Sequence, residues 1–299
     1  MSFKTNISGL LFLSPLLLSA CGEGTLSMDN TFQPRIVIQG YLFPNHKVEV
    51  RLLRNFPLNA TIDDNEVILS EAQAVIIDQE GSRFELRFDA DRQIYESSAI
   101  AVDYGKRYTL EVHATIDAKA LFARSTTTVP QPGFEILEEN SVLDSLVYRQ
   151  RDENGQLIDF EIVFNRSPGT DFYALALNAL DADTSTFIYD NPFDDFDVDD
   201  VLEDFEDFKY TYGWIQDTPL QPGESSIDVF SFFTWFYGEY EAVVLAGDRN
   251  FRDFLISHGQ VQEIDGNFHE PAFHIEGDGI GVFGSAIADT AYFTVLRQQ

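Results

Sequence analysis

Two observations on this 299-residue chain predict an all-β protein. Short segments alternate apolar with polar residues, and turn-forming Gly, Pro, Asn and Asp clusters separate them. A third observation constrains how the fold is held. Cys21 is the sole cysteine, so no internal disulfide can form and packing must do the work. The expected architecture is an N-terminal immunoglobulin-like β-sandwich over 34–130, followed by a second, mainly antiparallel and aromatic-rich β domain over 134–299 with one or two short helices.

The chain opens with Lys4, an apolar run from Leu10 to Leu18 and the small residues Ser19 and Ala20, the three zones of a secretion signal spanning 1–20. As a helix the apolar run rises only ~14 Å, about half of a hydrocarbon core of ~30 Å, so it is too short for a permanent span. Leu18-Ser19-Ala20-Cys21 resembles a bacterial lipobox, in which the cysteine sulfur takes a diacylglycerol and cleavage leaves Cys21 as the first residue. Lipid chains at ~0.8 kcal/mol per buried methylene would make that attachment permanent. Residues 21–33 are polar and without period, and are expected to be a flexible tether of at most ~40 Å.

From Pro34 the strand pattern begins. Strands are expected at Arg35–Leu42, Lys47–Leu53, Ala72–Asp78, Arg83–Phe88, Arg107–Ala114 and Leu121–Val129, with Tyr108, Leu110 and Val112 facing the core and Gly105 in the turn before them. The run VPQPGF, Val129 to Phe134, marks the expected domain boundary. Beyond it, strands are expected at Asp159–Phe164, Phe172–Leu180, Thr186–Tyr189, Tyr210–Ile215, Ser226–Phe233, Tyr240–Ala246 and Ala291–Arg297. A helix is expected after Asp248, because Phe251, Phe254, Leu255 and His258 recur at helical spacing and Gly259 ends the run.

A formal charge of −31 excludes nucleic acid and anionic headgroups as partners. Much of it is concentrated in DNPFDDFDVDDVLEDFEDF, Asp190 to Phe208. As a calcium loop this stretch would place Asp195, Asp197, Asp199 and Glu206 at ligand positions, but Asp200 occupies the glycine position and Pro192 opposes the incoming helix. As a helix it would be capped by Asp197, with Val198, Val201, Leu202, Phe205 and Phe208 on one face. The two readings exclude each other, and the acidic helix is preferred.

Gly279 to Gly284 matches the G-x-G-x-x-G spacing of dinucleotide loops, but the chain continues into a strand instead of a helix, so a closely approached strand is expected and no cofactor is implied. In HEPAFH the two histidines, His269 and His274, have the wrong spacing for a zinc protease helix, and Pro271 lies between them. No nucleophile elbow is present in the sequence. Along DVFSFFTWFYGEY, Asp228 to Tyr240, a strand would put Phe233, Trp235 and Tyr237 on one face. That face is either a stacking surface for a sugar, peptide or protein, or part of the core, and core is preferred.

PRIVIQGYL, TTTVP, EPAFHIEGDGIGVFGSA (Glu270–Ala286) and the final aromatic strand together resemble a family of Bacteroidota-type lipoproteins, domain of unknown function 4249. The likeness covers nearly the whole mature chain, and GDGIGVFG, Gly277 to Gly284, is its most specific part. It implies a lipid-anchored, outer-membrane-associated protein found beside TonB-dependent transporters, with no catalytic residues to carry over. The expected function is that of a non-enzymatic accessory or ligand-capture protein. The alternatives are a carboxylate-dependent hydrolase in the second domain and a structural or adhesion lipoprotein.

Overall fold

Alternating burial defines the first strand, β1 (Ile36–Leu42), in which Ile36, Ile38, Gly40 and Leu42 turn inward. The computed structural model describes residues 32–57, 60–62, 64–190, 197–216, 223–258 and 271–298. The leader, Cys21, most of the tether, Asp195, Gly259 and His269 lie outside the described residues. Residues 1–33 form one unit and 34–299 another, and the second carries every strand and helix among the described residues.

After β1 come β2 (Val48–Arg54), a helical turn α1 (Asp64–Val67), β3 (Gln73–Ile77), β4 (Arg83–Glu85), β5 (Arg87–Asp89), β6 (Ile94–Ser97), β7 (Arg107–Ile116) and β8 (Lys119–Thr128). They pair in the order β1-β2-β6-β5 in one sheet and β4-β3-β7-β8 in the other. With strands lettered A, B, C, C′, D, E, F and G along the chain, these are sheets ABED and C′CFG, the immunoglobulin arrangement. Ile38, Leu52, Ile76, Leu110 and Val112 fill the space between them. Tyr108 at the start of β7 closes a tyrosine corner: its hydroxyl accepts from the Asp103 amide at 2.9 Å and donates to the Ala101 carbonyl at 3.3 Å.

The second half repeats this connectivity. Its strands are β9 (Glu135–Ile136), β10 (Ser145–Val147), β11 (Phe160–Asn165), β12 (Phe172–Ala179), β13 (Tyr210–Gln216), β14 (Glu224–Val229) and β15 (Gly238–Gly247). Helices α2 (Val198–Glu203) and α3 (Phe205–Lys209) precede β13, while α4 (Arg249–His258), β16 (Ile275–Gly277) and β17 (Gly279–Leu296) end the chain. Sheet β9-β11-β14 packs against β13-β12-β15-β17, the same ABE and C′CFG orders. Tyr240 makes the matching corner, accepting from the Phe236 amide at 2.8 Å and donating to the Phe236 carbonyl at 3.1 Å. Burial pushes the hydroxyl pKa of Tyr240 up, so it stays protonated and able to donate.

One strand belongs to both sandwiches. The first part of β17 pairs in parallel with β1, from Ile36↔Gly279 to Leu42↔Ser285, and the rest pairs antiparallel with β15, from Gly247↔Ala286 to Gly238↔Val295. β16 adds to β8 of the first sandwich, and Phe283 enters the first core. The expected boundary at 130–134 therefore separates the two cores but not the sheet. Chain order assigns residues 275–285 to the second domain, and the structure puts them in the first.

Three expected strands also change. Arg83–Phe88 breaks into β4 and β5 because buried Leu86 bonds back to Ala74 and the chain there switches sheets. Ser226–Phe233 stops at Val229, where Asp159 accepts from the Ser231 amide at 3.1 Å and a 3-10 turn over Ser231–Phe233 begins. Thr186–Tyr189 supplies only an isolated bridge, Phe187↔Phe236. The glycine run is the closely approached strand that its composition predicts. Gly281 has φ +101°, and a Cβ there would collide with the Ile38 carbonyl oxygen of β1.

Gly281→Ala is therefore expected to destabilise the protein by about 3 kcal/mol or more in urea unfolding. Gly155→Ala, also at positive φ but in open space, should cost only about 1 kcal/mol.

Candidate binding surface of the C-terminal sandwich

Where the two sandwiches meet, α4 starts at a buried carboxylate. One Asp248 oxygen accepts from the amides of Phe251 (3.0 Å) and Ser285 (3.1 Å), and the other from the Thr127 hydroxyl at 2.6 Å. Thr127 lies 2.8 Å from the Ser285 hydroxyl, and the Asn250 amide donates to the Thr126 and Phe283 carbonyls at 2.8 Å each. Phe251 seats edge-on against Tyr41 of β1 and Phe172 of β12. Burial pushes the Asp248 carboxyl up from its ordinary value, and these hydrogen bonds only partly offset it. A cleft of about 520 Å³ opens beside it, lined by Thr128, Gln131, Asp171, Arg249 and Arg252. Because both Asp248 oxygens face donors of the junction itself, the group joins the two bodies and is not free for chemistry.

The sequence singles out Phe233, Trp235 and Tyr237 as one stacking face, and the structure separates them. The 3-10 turn breaks the strand register on which a common face depends. Trp235 is stacked on Phe187 with centroids 6.2 Å apart and meets Phe208 edge-on at 5.2 Å. Tyr237 lies against Tyr148 and under the Arg297 guanidinium, 4.8 Å from its ring. Phe233 alone of the three is exposed, beside Phe230 and Phe232. Trp235 and Tyr237 thus pin the segment around Phe187 over the end of the sandwich, an arrangement secured by the Ile188 and Tyr237 amides, which donate to the Trp235 and Thr186 carbonyls.

In the acidic stretch, the described residues 197–209 form α2 and α3. Asp197 is the N-cap of α2, accepting from the Asp199 and Asp200 amides at 2.8 and 3.1 Å, while Asp200 accepts from the Asp197 amide at 3.0 Å. Asp197 is thereby occupied, and Asp199 and Glu206 sit on two different helices. Val201, Phe205 and Phe208 meet the core as the helical reading requires. Val198 and Leu202 do not: both are exposed, because the helix breaks at Asp204 and only part of the apolar stripe reaches the core. His274 of HEPAFH is 2.8 Å from Asp253 on α4. Burial opposes ionisation of Asp253, but His274 and Arg252 outweigh it and hold the carboxyl below its usual range.

Among the described residues, three further exposed rings of the C-terminal sandwich stand elsewhere, on the outer face of the β13-β12-β15-β17 sheet. Tyr212 is 70% exposed, Tyr292 51% and Tyr210 49%. Strand patterning places all three in strands but passes over which parity faces outward. The signal is in the alternation, since Tyr240, Ala242 and Val244 are the inward set of β15 and the intervening residues must point out. Between β9 of one sheet and β17 of the other, an open groove of about 610 Å³ is lined by Glu135, Glu138, Glu139, Glu224 and Asp289. Asp289 there accepts from the amides of Ile136 and Thr290.

Asp248→Ala is expected to lower stability by about 2–3 kcal/mol, since a cap is lost and buried donors are stranded, and Asp248→Asn by less than about 1 kcal/mol. The raised carboxyl binds its proton more tightly in the folded state. Its contribution to stability is full below the ordinary carboxylate range and is lost as pH rises through the folded value. Urea midpoints taken across that range should lose this component in Asp248→Asn. Asp197→Ala should cost about 1 kcal/mol, and millimolar calcium should leave the melting temperature of the parent protein unchanged.

No protein-family profile and no curated protein matches the chain. Among solved structures it is similar to a tetra-tandem repeat from the extending region of a large adhesion protein, with TM-score 0.24 and 11% identity over 88% of this chain and 49% of that one. It is also similar to a two-domain fibronectin type III segment of chicken tenascin (TM-score 0.20, 10% identity, 72% and 91% covered). A third is a structure concerned with host-cell surface retention by a 1.5-MDa bacterial ice-binding adhesin (0.21, 8%, 89% and 65%). The chain spans about half the length of the first of these. The immunoglobulin-like assignment rests on strand order and on the two tyrosine corners.

Proposed function

We propose that this protein is a non-enzymatic, lipid-anchored binding protein of the outer membrane, acting as an accessory or capture subunit beside a TonB-dependent transporter. The observation that carries the reading is Leu18-Ser19-Ala20-Cys21, placed directly after a leader-like run and before a polar stretch that ends at Pro34. The geometry of the folded unit supports it. β1 starts at Ile36, level with Gly279 at one end of β17, whereas the exposed tyrosines belong to the sandwich built on the other end of that strand. Eighteen residues of strand reach at most ~60 Å. A chain tethered through its N-terminal residues would hold the second sandwich as the outlying module, available to a ligand or a partner. Transporter partnership comes from the family resemblance.

Mass spectrometry of the membrane-extracted protein should find Cys21 as the first residue, carrying a thioether diacylglycerol and an acylated amine. Cys21→Ser should release the protein from membranes. Affinity purification from solubilised membranes should recover a TonB-dependent transporter. A bare sulfur overturns the anchor, and recovery of the protein alone overturns the partnership.

A further inference from the structure

We infer that the outer face of the C-terminal sheet is a binding platform for a neutral oligosaccharide. Sheet register fixes its layout. Tyr210, Asn178, Glu241 and Tyr292 are successive cross-strand partners and form one row over four strands. The next row, two residues along, runs Tyr212, Ala176, Val243 and Thr290. Adjacent strands are ~4.8 Å apart, so the tyrosines of β13 and β17 stand ~14 Å from each other, with Asn178 and Glu241 between them in the first row and Ala176 and Val243 in the second.

Both Glu241 oxygens meet neighbours in the first row, one 3.3 Å from the Asn178 amide nitrogen and the other 3.4 Å from the Tyr292 hydroxyl. Each contact is long, and a carboxylate has lone pairs left for further donors. Lys209 covers one side of the Tyr210 ring at 5.0 Å, so Tyr212 and Tyr292 are the principal stacking residues.

Three features of the face select its ligand. On this same face α4 packs Phe251, Leu255 and Ile256 with Phe172, Ala174 and Leu245, so the tyrosine rows lie beside a helix, and a chain laid across the strands suits them better than a compact molecule that must be engulfed. Tyrosine rings separated by a carboxylate and an amide match a pyranose, which has an apolar C–H face and a rim of hydroxyl donors. The net charge of −31 repels sulfated or uronic sugars, which leaves neutral ones. A second copy of the chain fits poorly. A self-complementary contact would bring the like-charged Glu241 carboxylates of the two copies together.

The inference rests on the reading of the chain as a binding protein but not on its lipid. Calorimetry on the full chain bearing Cys21→Ser, with cellohexaose, mannohexaose and N-acetylchitohexaose as probes and a heparin hexasaccharide as the anionic control, should detect binding of at least one neutral probe and none of heparin. Tyr212→Ala and Tyr292→Ala should each weaken it tenfold or more, Tyr292→Phe should retain most of it, and Phe233→Ala should leave it unchanged. Unaltered melting temperatures would separate lost binding from lost folding. Absence of binding by all three neutral probes at millimolar concentration, binding of heparin alone, binding indifferent to both alanine variants, or a dimer abolished by Tyr212→Ala would each overturn the platform. Such failure leaves the lipid and transporter measurements untouched, and a bare Cys21 would leave sugar binding untouched.

Discussion

The structure depends on a single strand shared between two cores. Gly279 to Leu296 completes the first sandwich through β1 and the second through β15, so neither half of the folded unit is built from a continuous stretch of chain. A strand cannot swivel about its own peptide bonds while both its ends are hydrogen-bonded into sheets. The usual expectation for tandem domains, loose motion about a Pro/Gly linker, is replaced here by a continuous ladder.

Around that strand the junction is closed by groups satisfied only when both bodies are present. Asp248 follows β15 of the second sandwich, yet accepts from Thr127 of the first and from the shared strand at Ser285. Asn250 and Phe251 repeat the pattern, the amide reaching the carbonyls of Thr126 and Phe283 and the ring contacting Tyr41 and Phe172. A buried carboxylate with unmet acceptors is costly, so this cluster favours one arrangement of the bodies over near alternatives. α4 carries the junction onto the outer sheet face itself, where Phe251, Leu255 and Ile256 pack with Phe172, Ala174, Leu245 and Tyr41 of β1, so that face is held in fixed relation to the first sandwich.

Much of the fold is legible in the sequence. Strand alternation locates β1, β2, β3, β7, β8, β11, β12, β13 and β15 within a few residues, and Phe251, Phe254 and Leu255 locate α4. The duplicated connectivity leaves a trace too: YGKRY at Tyr104 and YGEY at Tyr237 each lead through a positive-φ glycine to the corner tyrosine. Without a fixed repeat period this similarity is easily passed over. The aromatic run at Phe230–Tyr240 misleads because its density resembles a strand, whereas Asp159 and Thr234 turn it into a 3-10 corner by hydrogen bonds from distant or side-chain partners.

Fold class, turn positions, the acidic helix with its Asp197 cap, the impossibility of an internal disulfide and the lipobox-like start are all written in the chain itself. They follow from local periodicity, residue chemistry and composition, which act over a few neighbouring residues. Only the folded arrangement establishes that Gly277–Ser285 belongs to the first sandwich, that Trp235 and Tyr237 pack against the second core, and that Tyr210, Tyr212 and Tyr292 share one open face. Each of these depends on which strands become neighbours across long stretches of chain, and parity along one strand cannot say what will cover it.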